Sequence, residues 1–568
     1  MDILQTILSR DLAFTKSYLA VFRILAPLLA IILLWRCCRP LLTFRREPEI
    51  WGFLCFKDGK KQPITHWESI IGRHQQSDLV VDFPTVSRNH AVLTRYDDGS
   101  WTITDTDSKD GVEVNGKKVT ICPITEADTI SIGGVEMKLE PVSEEQEEKL
   151  TQQRTKASTG VDSIANLLLL SVFQALTCLG FLLGGSTENA LSIFTGFAGI
   201  MCLQWVLLFM YFIIRRPAFE VETAAFFLCT LGMAAICTVH PEETVKQLIA
   251  LILGLILFLT VGGTMRNLEL AKNTRYLAAI IGILLLFATL MFGTEYYGAK
   301  NWLILGPLSL QPSELSKVCF VFVGASTMDR LVNKRNLILF IGYTLLVCAC
   351  LAVMNDFGTA LVFFCAFLMI AFLRSGSLGT VGLAITALGY ACVLGLKLAP
   401  HALRRFSVWR HVWESPFDAG YQQTRAMMCI ASGGMFGLGL GRGWLKHLFA
   451  ADSDVVFATI AEEWGLIMAV LPVLVIVVLA LFAMRCSHVS RSTFYAIGAC
   501  TAGSIMLVQT IFNVLGTVDV LPLTGVTFPF VSNGGSSMIC AWGLLAFIKS
   551  VDTRQNASFA VRLGVSRR

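Results

Sequence analysis

About thirteen apolar runs of roughly 17–25 residues, parted by short charged segments, constrain this chain more than anything else in it. A run of that length crosses a hydrocarbon core as a helix, so the chain reads as a polytopic α-helical membrane protein. The composition agrees, with 54% hydrophobic residues, 15% charged residues and a mean hydropathy of +0.63. The runs fall near residues 18–36, 162–184, 191–214, 221–240, 245–263, 276–293, 315–331, 336–354, 358–373, 378–397, 456–484, 493–516 and 535–550. The net charge of +5 gives no argument for a nucleic-acid partner, because Lys and Arg beside membrane segments mainly set orientation. Arg215-Arg216, the stretches 266–275 and 330–335, Arg374, Arg485 and the RLGVSRR tail all fall on one side. The positive-inside rule then puts the C-terminus inside, the first residues outside, and loops 294–313, 398–455 and 517–534 together on the outer face.

The 17 Cys residues show no paired spacing, and those in apolar runs, such as Cys348, Cys350 and Cys365, read as small hydrophobes. No zinc-type cluster is visible. Cys37-Cys38 adjoin a helix end, where palmitoylation is a weakly signalled option. The N-terminal run lacks a small-residue cleavage site and reads as a retained anchor over residues 1–45, closed by the basic cluster RCCRPLLTFRRE.

Residues 50–140 change character. Short alternating runs (LVVDF, AVLTRY, WTITD, VEVNG, TISIG, VEMKL) are separated by Asp-Asp-Gly, Asn-Gly and Gly-Gly turns, which is the pattern of an all-β sandwich on the cytoplasmic side. Residues 141–160 follow as a polar, charged linker. The stretch IIGRHQQSDLVVDFPTVSRNHAVLTRY, then DSKDGVEVNG, resembles a forkhead-associated (FHA) domain, with its Gly-Arg, Ser-Arg-x-His and Asn-Gly elements in order. The resemblance implies phosphothreonine-peptide binding, with Arg73, Ser87 and Arg88 on the phosphate and His90 bracing the loop. Arg forks and a hydroxyl suit a dianionic phosphate. Lys109-Asp110-Gly111 stands where the family usually has Thr-Asn-Gly; Asp110 lacks the amide donor, and Lys109 adds positive charge.

Four motifs sit at outer helix ends. In AKNWLILGPLSLQPSELSK (299–317), Ser313 is a natural N-cap for a helix starting at Glu314, and Glu314 and Lys317 are i,i+3 partners. That pair suits either a structural ion pair or a Lys for an anionic head group. NDFGTA puts Asp356 at a helix end. HALRRFSVWRHVW (401–413) reads as an interfacial segment, with Trp409 and Trp413 for the headgroup layer and Arg404, Arg405 and Arg410 for phosphates. It precedes the glycine-rich GYQQTRAMMCIASGGMFGLGLGRG, which no strand precedes, against a nucleotide site. NVLGTVDVLPLTGVTFPFVSNGGSS is irregular backbone of the kind tolerated at depth only beside protein or a cavity. Asp454, in LFAADSDVVFATIAEEWGL, is a carboxylate at the membrane boundary, two residues before an apolar helix. It reads as a functional group or, with Ser453, as a helix cap.

Together these motifs resemble the SEDS family (shape, elongation, division and sporulation), the FtsW/RodA/SpoVE type, over about residues 221–550. The expected fold is about ten core spans (217–552), about two further spans (161–216) besides the anchor, the FHA sandwich, and a basic cytoplasmic tail (553–568). The resemblance implies a peptidoglycan glycosyltransferase that polymerises lipid II with inversion. Inversion calls for a base on the acceptor hydroxyl and stabilisation of the departing diphosphate. Asp454 falls on the family's essential carboxylate. Lys317, Arg404 and Arg405 are the expected phosphate partners, and Trp302, Gln311, Ser313 and Glu314 match positions lining the outer cavity. Glu462 and Glu463 match the acidic pair of the following helix, where a structural role is open. Expected partners are a class B penicillin-binding protein and a phosphothreonine protein. No metal site is assigned, although a divalent cation, Mg or Mn, beside the diphosphate is compatible with the chemistry. A lipid II flippase or transporter, or a phosphopeptide-binding scaffold, is the alternative function.

The chain departs from the family pattern in places. Phe449 and Ala450 stand where Pro-Glu is usual, which makes nearby Asp452 a second candidate carboxylate. Asn301 replaces an Arg, Arg425-Ala426 replaces Gln-Ser, and Asn533 replaces a Tyr.

Overall fold

A computed structural model of the chain describes residues 12–557 except 45–47, 76, 97–98, 143–145, 147–148, 150–158, 185–188, 297–298, 306–307, 329–333, 376–377, 380, 388, 390–405 and 555–556. Eleven short strands build the β domain: β1 (Gly52–Phe56), β2 (Lys61–Ile64), β3 (Glu68–Gly72), β4 (Leu79–Val80), β5 (Ala91–Arg95), β6 (Trp101–Asp105), β7 (Val112–Val114), β8 (Lys117–Val119), β9 (Ile121–Ile124), β10 (Thr129–Ile132) and β11 (Val135–Pro141). They form two sheets, ordered β2-β1-β11-β10-β7-β8 and β4-β3-β5-β6-β9. Alternate residues such as Ile71, Leu93, Ile103, Ile130 and Met137 fill the space between them. The anticipated Asn-Gly turn joins β7 to β8 with φ of 52° and 76° at Asn115 and Gly116, the left-handed pair that a two-residue hairpin needs.

The membrane part begins with α1 (Leu12–Thr43), which lies within the expected anchor and extends beyond its apolar run 18–36 at both ends. After the β domain come α2 (Gly160–Gly184), α3 (Ala190–Ile213), α4 (Glu220–Val239), α5 (Thr244–Thr264), α6 (Leu268–Asn273), α7 (Arg275–Phe292), α8 (Pro312–Met328), α9 (Lys334–Val353) and α10 (Phe357–Ser375). Then follow α11 (Tyr421–Gly433), α12 (Val456–Trp464), α13 (Leu466–Ser487), α14 (Thr493–Thr517) and α15 (Gly535–Ser550). Among the described residues, ten helices are long and apolar enough to cross a membrane, and α15 is a shorter apolar helix. This is a multi-pass membrane protein carrying an all-β domain. Half of the expected span at 378–397 lies outside the described residues.

Helix α4 is almost wholly enclosed, packed by α1, α2, α3 and α5. Buried polar side chains join α2, α3 and α4. Gln174 and Gln204 exchange reciprocal amide bonds at 3.0 and 2.9 Å, Gln174 also donates to Thr230 at 2.9 Å, and Gln204 donates to Ser171 at 3.0 Å. The two added helices are therefore fastened to the core by side chains that have no water to turn to.

Two expectations change in the second half. The apolar run at 456–484 is two helices, because Gly465 adopts φ 87° and ends α12 before α13 begins. The expected loop 294–313 contains a small antiparallel sheet, β12 (Thr294–Tyr296), β13 (Ala299–Leu305) and β14 (Leu308–Leu310).

At the far end of the bundle the chain is clamped by buried ions. Lys549 pairs with Glu222 at 3.1 Å, and Arg554 bridges Asp552 at 2.7 Å and Glu220 at 3.1 Å. The beginning of the basic tail is thus locked in, while residues 558–568 lie outside the described part. The β domain docks at this same end. Arg491, between α13 and α14, pairs with Glu49 (Nη2 to Oε1, 2.9 Å) and accepts the Trp67 N–H on its carbonyl at 2.7 Å. The Trp67 ring packs edge-on against Tyr495, with centroids 6.1 Å apart.

Candidate active site and phosphopeptide site

At the opposite end of the bundle a cavity of about 2160 Å³ opens among the starts of α5, α8, α10 and α15, strand β13, and the loops before α11, α12 and α15. Asp454 lies in its wall, half-buried, on a turn that starts from Ala450 with φ 54°. Every carbonyl from Ala450 to Asp454 accepts a hydrogen bond. Ala450 takes the Asp454 N–H at 3.0 Å, and Ala451 takes the Thr459 hydroxyl at 2.6 Å. Asp452 takes the Asn533 N–H at 2.7 Å, and Ser453 takes the Ser532 hydroxyl at 2.7 Å. Asp454 takes the Asn513 amide at 3.1 Å. A turn so fully bonded holds its side chains at fixed positions. The cap residue of α12 is Val455, with no capping side chain, so the helix-cap reading of Asp454 and Ser453 gives way; the Ser453 hydroxyl instead turns back to the Ala450 carbonyl. The Asp454 carboxylate lies beside Gly525, where a Cβ would sit 3.4 Å from Oδ2.

Asp452 differs from its neighbour. It is 4% exposed, and its Oδ2 accepts from the Asn533 amide at 2.8 Å. The same amide nitrogen donates to Glu243 at 3.0 Å, and Glu243 pairs with Lys246 at 3.0 Å. Burial pushes the Asp452 carboxyl above the usual carboxylate range, against the opposing pull of the Asn533 donor.

Across the cavity, Trp302 and Gln311 line the wall. Gln311 donates to Asp356 Oδ2 at 3.2 Å and Asn301 to the same oxygen at 3.3 Å, while Asp356 Oδ1 caps α10 through the Thr359 N–H at 3.1 Å. Asn301, standing where the family has an Arg, is thus part of an Asp356-centred cluster. Helix α8 starts at Pro312, two residues earlier than expected, so Ser313 is not its cap; its hydroxyl is buried without a hydrogen-bond partner and does not line the cavity. Glu314 does line it. Lys317 lies behind Glu314, fully buried, with Nζ 2.6 Å from Oε1. The ammonium therefore serves Glu314 and does not face the cavity. Arg404 and Arg405 lie outside the described residues. Among the described residues, no three His, Cys, Asp or Glu side chains come together as a metal site.

Glu462 and Glu463 face away from the chemistry. Glu462 accepts the N–H groups of Trp444 and Leu445 at 2.8 and 2.9 Å, and Glu463 accepts from Gly443 at 3.1 Å and Thr238 at 2.8 Å. They fasten the glycine-rich loop to α12. Trp409 donates to the Val520 carbonyl at 3.1 Å and carries Arg410 on its ring, so the aromatic-basic segment folds onto the loop after α14.

In the β domain, Arg73, His74, Gln75 and Arg88 surround a depression of about 450 Å³. Buried His90 accepts the Ser87 N–H at 3.0 Å and faces the Gly111 carbonyl at 3.0 Å, which braces two loops, as expected. The Ser87 hydroxyl accepts the Lys109 N–H at 3.1 Å, while the Lys109 and Asp110 side chains are exposed beside it.

A family model described as FTSW_RODA_SPOVE, cell cycle protein, matches residues 226–557. The chain belongs to the FtsW/RodA/SpoVE family. A second model, the FHA domain, matches residues 69–133. The protein named "Probable peptidoglycan glycosyltransferase FtsW" of Escherichia coli O6:H1 is 32% identical over 49% of this chain and 70% of its own length. A protein of the same name from Aliivibrio salmonicida is 34% identical over 50% of this chain and 74% of its own. Among solved structures, a chain from a peptidoglycan synthase complex is 24% identical with a TM-score of 0.49, covering 58% of this chain and 96% of that one. Within this FtsW/RodA/SpoVE member, sequence reasoning named Asp454, Asp452, Gln311, Trp302 and Glu314 for the cavity. It did not assign Asp356, Glu243 or Asn533 a role there. The NDFGTA motif and the Tyr-to-Asn departure were the signals available for two of them.

Proposed function

We propose that this protein is a peptidoglycan glycosyltransferase that polymerises lipid II into β-1,4 glycan strands on the outer face of the cytoplasmic membrane. The observation that carries the reading is Asp454, held on a fully bonded turn in the wall of a 2160 Å³ cavity within a FtsW/RodA/SpoVE member. In the reaction, the acceptor sugar's 4-hydroxyl attacks C1 of the donor sugar. The new C1–O4 bond forms as the C1–O bond to the diphosphate breaks, with inversion. Asp454 takes the hydroxyl proton, and polyprenyl diphosphate leaves with the electron pair. Glu314, oriented by Lys317, and the Asp356–Gln311 pair supply acceptors and donors for sugar hydroxyls; Trp302 offers an apolar face. Asp452 positions the turn.

The FHA domain binds a phosphothreonine protein through Arg73, Ser87 and Arg88, and a class B penicillin-binding protein is the expected cross-linking partner. Purified protein with labelled lipid II and such a partner should yield glycan strands, and Asp454→Ala should lower their synthesis by about 100-fold or more. Strand synthesis that survives the change would sink the mechanism; lipid movement across vesicles without polymer would favour a transporter. Titration with phosphothreonine peptides should give binding that Arg88→Ala abolishes, and equal binding of unphosphorylated peptide would refute that role.

A further inference from the structure

Helices that begin at the cavity mostly meet it with a carboxylate of their own. Glu243 precedes α5, Glu314 lies in the first turn of α8, Asp356 caps α10, and Asp454 stands beside the cap of α12. These acids answer the partial positive charge of each helix start. Helix α15 carries none. Its cap residue is Gly534, its first turn is Gly535-Ser536-Ser537, and Gly534 through Ser537 all line the cavity. The two hydroxyls are engaged elsewhere: Ser536 Oγ accepts the Gln311 N–H at 2.7 Å and Ser537 bonds Thr527 at 2.8 Å. What α15 presents to the cavity is its first-turn backbone, the arrangement that binds anions at helix N-termini.

Gln247 points to the same spot independently. It is 3% exposed, lines the cavity, and its Nε2 has no hydrogen-bond partner. Helices α5 and α15 run side by side: Gly254 lies against Met538 and Trp542, and Ala250 against Gly535. Gln247 is one turn earlier on that face of α5, just beyond the start of α15. Helical side chains lean towards their own N-terminus, which here directs the amide past the first turn of α15. The nearby carboxylates Asp452 and Glu243 are held by Asn533, and Glu243 also by Lys246. One to two turns deeper, Ile249, Ala250 and Leu253 continue the cavity wall as an apolar strip.

An anion-binding end above an apolar strip fits a lipid diphosphate. We propose that the N-terminus of α15, together with the Gln247 amide, binds the diphosphate of a polyprenyl-linked substrate or product. The identity of that ligand rests on the glycosyltransferase reading, but the site can be tested without turnover.

The test uses the full chain in detergent, with farnesyl diphosphate and farnesol as probes. Gly535 has room for a side chain, its nearest foreign atom to an added Cβ being Ala250 Cβ at 3.7 Å. Gly535→Asp and Gly535→Asn have the same shape and differ in charge. Affinity for farnesyl diphosphate should be about ten-fold weaker in the Asp variant than in the Asn variant. Gln247→Leu should lose about ten-fold relative to the unaltered chain. Farnesol should bind the unaltered chain more weakly than the diphosphate and should not separate Asp from Asn. Equal diphosphate affinity in the Asp and Asn variants, or farnesol binding as tight as the diphosphate, would overturn the proposal. Loss of the Asp454 mechanism would leave these affinities unchanged, so the two readings fail separately.

Discussion

Asp452 and Asp454 stand two residues apart on one turn and meet different surroundings. Asp454 is half-buried in the cavity wall, whereas Asp452 is enclosed and bonded to Asn533. Because the Asp452 carboxyl is raised in the native state, the folded protein holds its proton to higher pH than the unfolded chain does. Between the ordinary Asp value of 3.8 and the raised native value, stability therefore falls as pH rises, and the deficit persists at neutral pH. Asp452→Asn keeps an acceptor for Asn533 and removes the buried charge. It should raise the melting temperature at pH 7, with the gain vanishing below about pH 4, as thermal unfolding across pH would show. The position of Asp454 was legible because a carboxylate at a membrane boundary is conspicuous. The support of its turn was not, since Asn513, Ser532 and Asn533 reach Asp454, Ser453 and Asp452 from 59–81 positions away. The Ser313 cap failed for a local reason. Pro312 is well suited to the first helical position, so the helix starts before the serine.

The split between α12 and α13 shows what hydropathy does not register. A single glycine leaves an apolar run looking continuous, yet at φ 87° it breaks the helix. An added Cβ at Gly465 would sit 2.2 Å from the Met435 carbonyl oxygen. Gly465→Ala should destabilise the protein by more than about 1 kcal/mol, through both the left-handed backbone and that clash. A melting temperature equal to that of the unaltered chain would count against the break being enforced. Glu462 is the matching hold from the other side. Glu462→Ala leaves the Trp444 and Leu445 N–H groups without their acceptor and should cost roughly 2–4 kcal/mol, read by thermal unfolding in detergent. The small β12–β14 sheet was hidden for a different reason: its strands are only three to seven residues long, too short to separate from a loop.

Across the whole molecule, the β-domain dock and the cavity lie at opposite ends of α14, whose 25 residues span about 38 Å, with Tyr495 on Trp67 at one end and Phe512 in the cavity wall at the other. The multi-pass membrane part and the β sandwich were readable because each rests on composition and periodicity over many residues. The dock was not, because it joins Glu49 to Arg491 across the chain. Removing one member of that enclosed pair leaves the other charge without its partner. Arg491→Ala should therefore raise amide hydrogen exchange at β3 and around Trp67 while sparing the opposite sheet; unchanged exchange would argue that the dock carries little energy.

Strand β3 runs between Trp67 at the dock and Arg73 at the depression it shares with Arg88, and β5 runs back from His90 to Arg95, whose N–H bonds the Trp67 carbonyl at 2.7 Å. The extended stretch from Trp67 to Arg73 holds those two ends about 20 Å apart. On the proposed function, a phosphoprotein would therefore be received without prising the domain from the bundle. It would be moored at a set distance from the helices, and reach rather than release would decide which part of it can touch the membrane domain.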